Sequence, residues 1–382
     1  MMENPKKGVF ATIGTGLGIG MCVRYGTDMA NRLISYSSDY VTARATKALS
    51  EMMKQEAEEK MLHDHLRSIL EGNESITKPF LPHMFKNLHS KIRVDRELKR
   101  LKRSTKDLSV WKDIQTKGFT QAMTSVYTLC LLHVLSATVA SVFGRCHRQQ
   151  EDADEEENSK WDVARERKIQ CTELCVRYFQ DHGLDKLIKK VQDAVQDVVT
   201  LISAEKEDDS DVNQEISLEM FNKVHDCIRR RVEDSIECGE NDRISSNPFA
   251  SYLLPPSIPS TSSSSSDNDK LLGVIRDVLS SPLCAILMHR IFDDAFQVYL
   301  EDIKTRIIFK EKESVLLGTL LSFLCIANFK GSFGIFSKDK NKYLDVFAKS
   351  RSLADYVSAI YHSSVLPTAA ANVGGDNSTR GS

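Results

Sequence analysis

From Thr124 to Phe143 the chain runs through about twenty residues that are apolar almost all round, the length at which a helix either crosses a bilayer or fills the middle of a bundle. The run contains His133 and several Ser and Thr residues, and no basic flank precedes it. Polar side chains at that depth favour a central buried helix over a membrane span, although its length fits both readings. The stretch grows out of an amphipathic entry that begins at Leu108 and continues to Gly144. Trp111 sits in that entry in a polar setting, flanked by Lys106, Asp107, Lys112 and Asp113. A rigid aromatic at the mouth of a buried helix is what a partner-binding groove looks like in sequence. The competing reading is an ordinary core tryptophan.

Around this segment the patterning is helical. From Asp28 to about Leu70 the chain is charged and rich in helix formers, until Gly72-Asn73 and Lys78-Pro79 interrupt it. A basic helical segment, Lys91 to Arg103, ends at Ser104-Thr105, and Thr105 can cap the next helix. A further helical run is expected from Trp161 to about Ser203, with Val191, Val195, Val198 and Ile202 at helical spacing. Another should cover Leu218 to Ile236, and helical pattern resumes at Leu271 with breaks near Pro282 and Gly331. No alternating strand pattern is present. At 41% apolar and 27% charged residues the chain can bury a core, and only 9 Pro and 18 Gly interrupt it. The expectation is an all-α, elongated helical bundle. It carries an acidic loop at 149–160, a Ser-rich loop at 255–269 and a disordered tail at 367–382.

The N-terminus is the second strong signal. Lys6-Lys7 precede an apolar run from Gly8 to Val23, and Arg24-Tyr25 close it. At roughly 16 residues it is short for a span, yet the basic and aromatic flanks suit the two interfaces. Gly14/Gly18 and Gly16/Gly20 form G-x-x-x-G pairs that let membrane helices approach closely. A dinucleotide fingerprint fails on spacing, since positions 19 and 21 hold Ile and Met. Residues 1–26 are therefore read as a membrane anchor and 27–366 as a cytosolic bundle; a signal peptide and a buried soluble segment are the rivals. Nine scattered cysteines, an odd number, fit reduced thiols facing the cytosol.

The residues give no support for catalysis. Cys171 and Cys175 lie one helical turn apart without a second pair at zinc-site spacing. His63 and His65 point away from each other on a helix. His225-Asp226-Cys227 are adjacent and cannot form a triad. No phosphate-binding or metalloprotease motif is present, so no enzyme, cofactor, metal or small-molecule substrate is expected. The net charge of -2 argues against a nucleic-acid binder. One patch could face a polyanion: Lys91, Arg93, Arg96, Lys99, Arg100, Lys102 and Arg103, against Asp95 and Glu97. On an anchored protein it would suit anionic lipid, and an ordinary solvated helix face is the alternative.

The order of these parts resembles the peroxin 3 family of peroxisomal membrane biogenesis factors. The shared features are the Lys-flanked apolar N-terminus ending in Tyr25-Gly26, and Leu81-Pro82. The Leu108–Ile114 element around Trp111 follows, leading through Phe119-Thr120 to Val126-Tyr127 and Cys130. Gly183-Leu184, Arg276–Leu279 with Ser281-Pro282, and Phe347 to Tyr361 complete the match. The acidic and Ser-rich loops stand as insertions. The resemblance implies a membrane-anchored helical bundle at the peroxisomal membrane, with the bulk of the chain facing the cytosol. It implies a docking receptor for peroxin 19, the farnesylated carrier of newly made peroxisomal membrane proteins, whose N-terminal amphipathic helix lies in an apolar groove. Trp111 corresponds to the key groove residue, with Ile114 and Leu108 completing the wall and Lys106 at the rim. The alternative from another class is a structural tether that binds peroxisomal membrane lipid through the basic helix.

Overall fold

The computed structural model describes residues 79–101, 108–151, 157–204, 215–237, 247–254, 267–304, 314–316 and 342–362, with isolated positions between 44 and 67. Two compact units divide the chain, Met1–His65 and Leu66–Ser382. Described residues of the first unit are helical and include an exposed Lys47–Glu51 pair at 4.0 Å, spaced i, i+4. The expected anchor, residues 1–26, and the tail from 367 lie outside the described residues.

The second unit is built on helices. They are α1 (Leu81–Ile92), α2 (Val94–Leu101), α3 (Leu108–Glu151), α4 (Glu157–Tyr178), α5 (Leu184–Ala204) and α6 (Leu218–Glu237). A single turn, α7 (Ala250–Leu253), precedes α8 (Asp267–Leu279), α9 (Pro282–Asp302), α10 (Lys342–Ala348) and α11 (Arg351–His362). α3, 44 residues long, is the axis, and α1, α2, α4, α5, α8, α9 and α11 pack around it. Among the described residues one helix, Ser109–Arg145, is long and apolar enough to cross a membrane; 94% of its most apolar window is buried inside the protein. Four of its hydroxyls are satisfied within the helix, while the buried Thr124 and Thr128 hydroxyls have no partner among the described residues. Thr120, Ser125, Thr138 and Ser141 each donate to the carbonyl four residues back, at 2.6 to 2.8 Å. Tyr127 on α3 packs edge-on against Phe292 and Phe296 of α9, with ring centroids 5.0 and 4.9 Å away.

Side-chain pairs fix the helix directions. Phe119 stacks on Phe221 at 6.0 Å and Tyr127 donates to Glu233 at 3.2 Å, so α3 and α6 run the same way. Lys190 donates to the Ser235 carbonyl and Arg231 to Asp197, both at 3.1 Å, so α5 runs against α6 and hence against α3. The helix joining α4 to α5 widens into a π turn, Phe179–Gly183. Gly183 is required at that turn, because a Cβ there would strike the Tyr252 carbonyl of α7 and come within 2.7 Å of the Phe179 ring.

Four local expectations are corrected. The basic segment is two helices rather than one: Arg93 adopts φ 51 and ψ 50, its N–H closing on the His89 carbonyl, and α2 starts afresh at Val94. The expected acidic loop 149–160 is helical up to Glu151 and again from Glu157, where acidic residues suit a helix N-terminus. Asp267 and Asp269 likewise open α8 inside the expected Ser-rich loop. Finally, two three-residue strands pair antiparallel: β1 (Glu215–Ser217) and β2 (Ser314–Leu316). The break expected near Pro282 is present as a 65° bend between α8 and α9. Ser281 caps α9 there, accepting from the Cys284 N–H at 3.2 Å, with Pro282 in the first turn.

Candidate functional site

The Trp111 segment forms the first turns of α3, and its burial follows helical phase. Val110 and Ile114, four apart, are each 1% exposed and belong to the core. Trp111 lies one flank away, half-buried and packed on that core, while Lys112 and Asp113 are exposed. Ile114 is therefore a core residue and does not line an open wall. Leu108 is the first residue of α3, and Lys106 and Thr105 lie outside the described residues.

Ion pairs clamp this end of α3 to α2. Glu97 is 4% exposed and accepts from both Arg100 and Lys117 at 2.8 Å. Arg100 also lies 3.7 Å from Asp113. The bond from Lys117 is the main cause holding the Glu97 carboxyl below the ordinary glutamate range; burial opposes it and Arg100 reinforces it. The sequence treats Glu97 only as an offset within a basic run. Its partner Lys117 stands twenty residues away in a different helix, so no local spacing reveals the clamp.

α5 borders the same end. Thr116 and Gln196 meet at 3.3 Å. Because α3 and α5 run in opposite directions, stepping five residues back to Trp111 and five on to Leu201 moves about 7.5 Å the same way along the bundle. Leu201, 50% exposed, thus stands level with Trp111. It falls outside the apolar stripe ending at Ile202, which is why periodicity passes over it.

The basic patch is less available than its composition suggests. Lys91 is bonded to Asp185 of α5 at 2.6 Å, and the Arg93 Nε donates to the Ser90 carbonyl at 3.2 Å. Arg100 is held by Glu97. Arg96 and Lys99 are exposed, and Lys102 and Arg103 lie outside the described residues.

Among the residues weighed for chemistry, Cys171 and Cys175 are both buried, and burial pushes the Cys175 thiol up to about 12. His225 is buried with Nδ1 3.6 Å from the Asp226 carboxylate, while Cys227 is exposed on another face of the helix, so the three do not form a triad. His63 and His65 lie outside the described residues. Among the described residues no group of three His, Cys, Asp or Glu side chains is placed to hold a metal.

Fold and site together define an all-α helical bundle with a half-buried tryptophan where its central helix begins. No family model matches the chain, and no curated protein matches it.

Proposed function

We propose that this chain is a membrane-anchored docking receptor for peroxin 19, acting in insertion of peroxisomal membrane proteins, with its helical bundle on the cytosolic side. One observation carries the reading: Trp111, packed on the core, is only half-buried at the exposed start of a helix whose most apolar window is 94% buried. A large aromatic in that position gains by further desolvation when a partner covers it. It packs on the core that Val110 and Ile114 belong to, and Leu201 of the neighbouring α5 is a second exposed apolar side chain. An amphipathic helix needs such an apolar landing with polar margins, which Lys112 and Asp113 supply. The anchor at residues 1–26 and the peroxisomal location rest on the sequence resemblance. No catalytic step belongs to this reading.

The lipid-tether alternative is weaker, because Lys91 and Arg100 are already paired with carboxylates and Arg93 breaks the basic segment into two short helices. The docking reading is tested with the full chain in detergent against intact peroxin 19 and against peroxin 19 lacking its N-terminal helix. Binding that disappears with the helix is expected. Equal binding of both forms would refute the assignment.

A further inference from the structure

Trp111 stands in the first turn of α3, where backbone N–H groups have no acceptor within the helix. Whatever holds that turn at its rotational setting decides how much of the ring meets solvent. Burial alone would not choose the present setting. From Gly118 to Val142 every residue of α3 is buried, so hydrophobicity favours no one rotation of its body. At its entry Val110 and Ile114 are buried, while the larger Trp111 is left half-exposed.

The charged groups lie on one flank of Ile114 and the tryptophan on the other. At 3.6 residues per turn Trp111 is about 60° from Ile114 in one sense, and Lys117 and Asp113 are about 60° and 100° from it in the opposite sense. Turning the entry by about 60° would carry Trp111 into the buried place of Ile114, and an aromatic ring gains by such burial. The same turn would carry Lys117 and Asp113 away from α2.

α2 holds both of them. Glu97 accepts from Lys117 at 2.8 Å, and Arg100 lies 3.7 Å from Asp113. Glu97 is the innermost of the four: its side chain is 5% exposed, and it accepts from Arg100 at 2.8 Å as well. Thr116 and Gln196 add a neutral bond at 3.3 Å, and charge-assisted bonds are roughly twice as strong as neutral ones. Tyr127 on Glu233 pins α3 again only about 24 Å beyond Trp111. A buried ion pair is rarely the most stable way to join two helices. Apolar side chains of the same volume often serve stability as well, and what charges add is register.

We propose that Glu97, through Lys117, is a positioning residue for the Trp111 site: the pair holds the start of α3 at the rotation that leaves the ring half-exposed for a partner's helix. That a helix docks there rests on the function proposed above; the control of the ring's exposure does not.

The test uses the full chain in detergent with Trp161→Phe throughout, so that Trp111 is the one tryptophan that emits. Acrylamide quenching reads the exposure of its ring, and anisotropy of a labelled peroxin 19 N-terminal helix peptide reads docking. Glu97→Gln keeps the size and removes the charge. Glu97→Met with Lys117→Met replaces the pair by apolar side chains. Both are expected to keep the parent's helicity, to lower the quenching constant by about half and to weaken the peptide about tenfold. The double variant should melt no lower than the parent, which a purely structural role of the pair would not allow. A folded variant with parent-like quenching would overturn the proposal. So would loss of helicity in Glu97→Gln, which would make the pair a support of the fold alone; if only the double variant loses helicity, Glu97→Gln decides. Reduced quenching with parent-like affinity would overturn its bearing on docking. A parent that binds no peptide, or a Trp111→Ala variant that binds as tightly as the parent, would instead refute the docking function, and quenching would still decide the role of Glu97.

Discussion

At Gly183 and Gly273 the same chemical change should have opposite effects. Gly183→Ala drives a Cβ into the Tyr252 carbonyl and the Phe179 ring, and should destabilise the bundle by about 1–3 kcal/mol. Gly273 lies in α8 with nothing within 4 Å of a built Cβ, so Gly273→Ala should stabilise it by about 0.5–1 kcal/mol. Thermal unfolding of the two variants beside the parent checks both signs. Titratable residues add a pH dependence. Burial depresses the His225 pKa, so its contribution to stability is full above the unfolded value of about 6.5 and falls as pH drops below it. Glu97 is also depressed, chiefly by Lys117; its contribution is complete above the unfolded value of about 4.3 and is lost as pH falls towards the folded one. The urea midpoint should therefore decline below about pH 6.5 and more steeply below about 4.3, and Glu97→Gln should flatten only the lower limb. Trp111 was legible in the sequence because an aromatic among charges is unusual. The clamp on Glu97 was not, because it joins two helices through side chains twenty positions apart.

The long elements were legible, and their ends were not. α3, α5 and α6 follow from apolar spacing and length, since burial on one or all sides leaves a periodic trace. The acidic and Ser-rich boundaries were set too wide, because acidic residues that look like loop composition also suit helix N-termini. The β1–β2 ladder was illegible: three residues per strand carry no alternation, and Glu215 pairs with Leu316 far along the chain. α11 is tied to α3 by a hydroxyl pair, Thr138 with Tyr356 at 2.8 Å, and by Arg145 donating to the Ile360 carbonyl at 3.4 Å. Tyr356→Phe should cost about 1–2 kcal/mol, since the hydroxyl meets both Thr138 and the Cys284 thiol, while Thr138 keeps its bond to the Val134 carbonyl. Chemical denaturation of that variant reads the difference directly.

For the molecule as a whole, peroxin 19 is the partner we propose from the sequence resemblance, and the half-buried Trp111 is where we propose its helix docks. These rest on different observations and meet at one side chain. Anisotropy titration of the full chain in detergent with the N-terminal helix peptide of peroxin 19, beside Trp111→Ala and with circular dichroism on both, brings them together. The account expects the substitution to weaken binding by about 2 kcal/mol or more, at least about thirtyfold, with helical content retained. A well-folded parent that fails to bind the peptide, or a Trp111→Ala variant that binds as tightly as the parent, would contradict it.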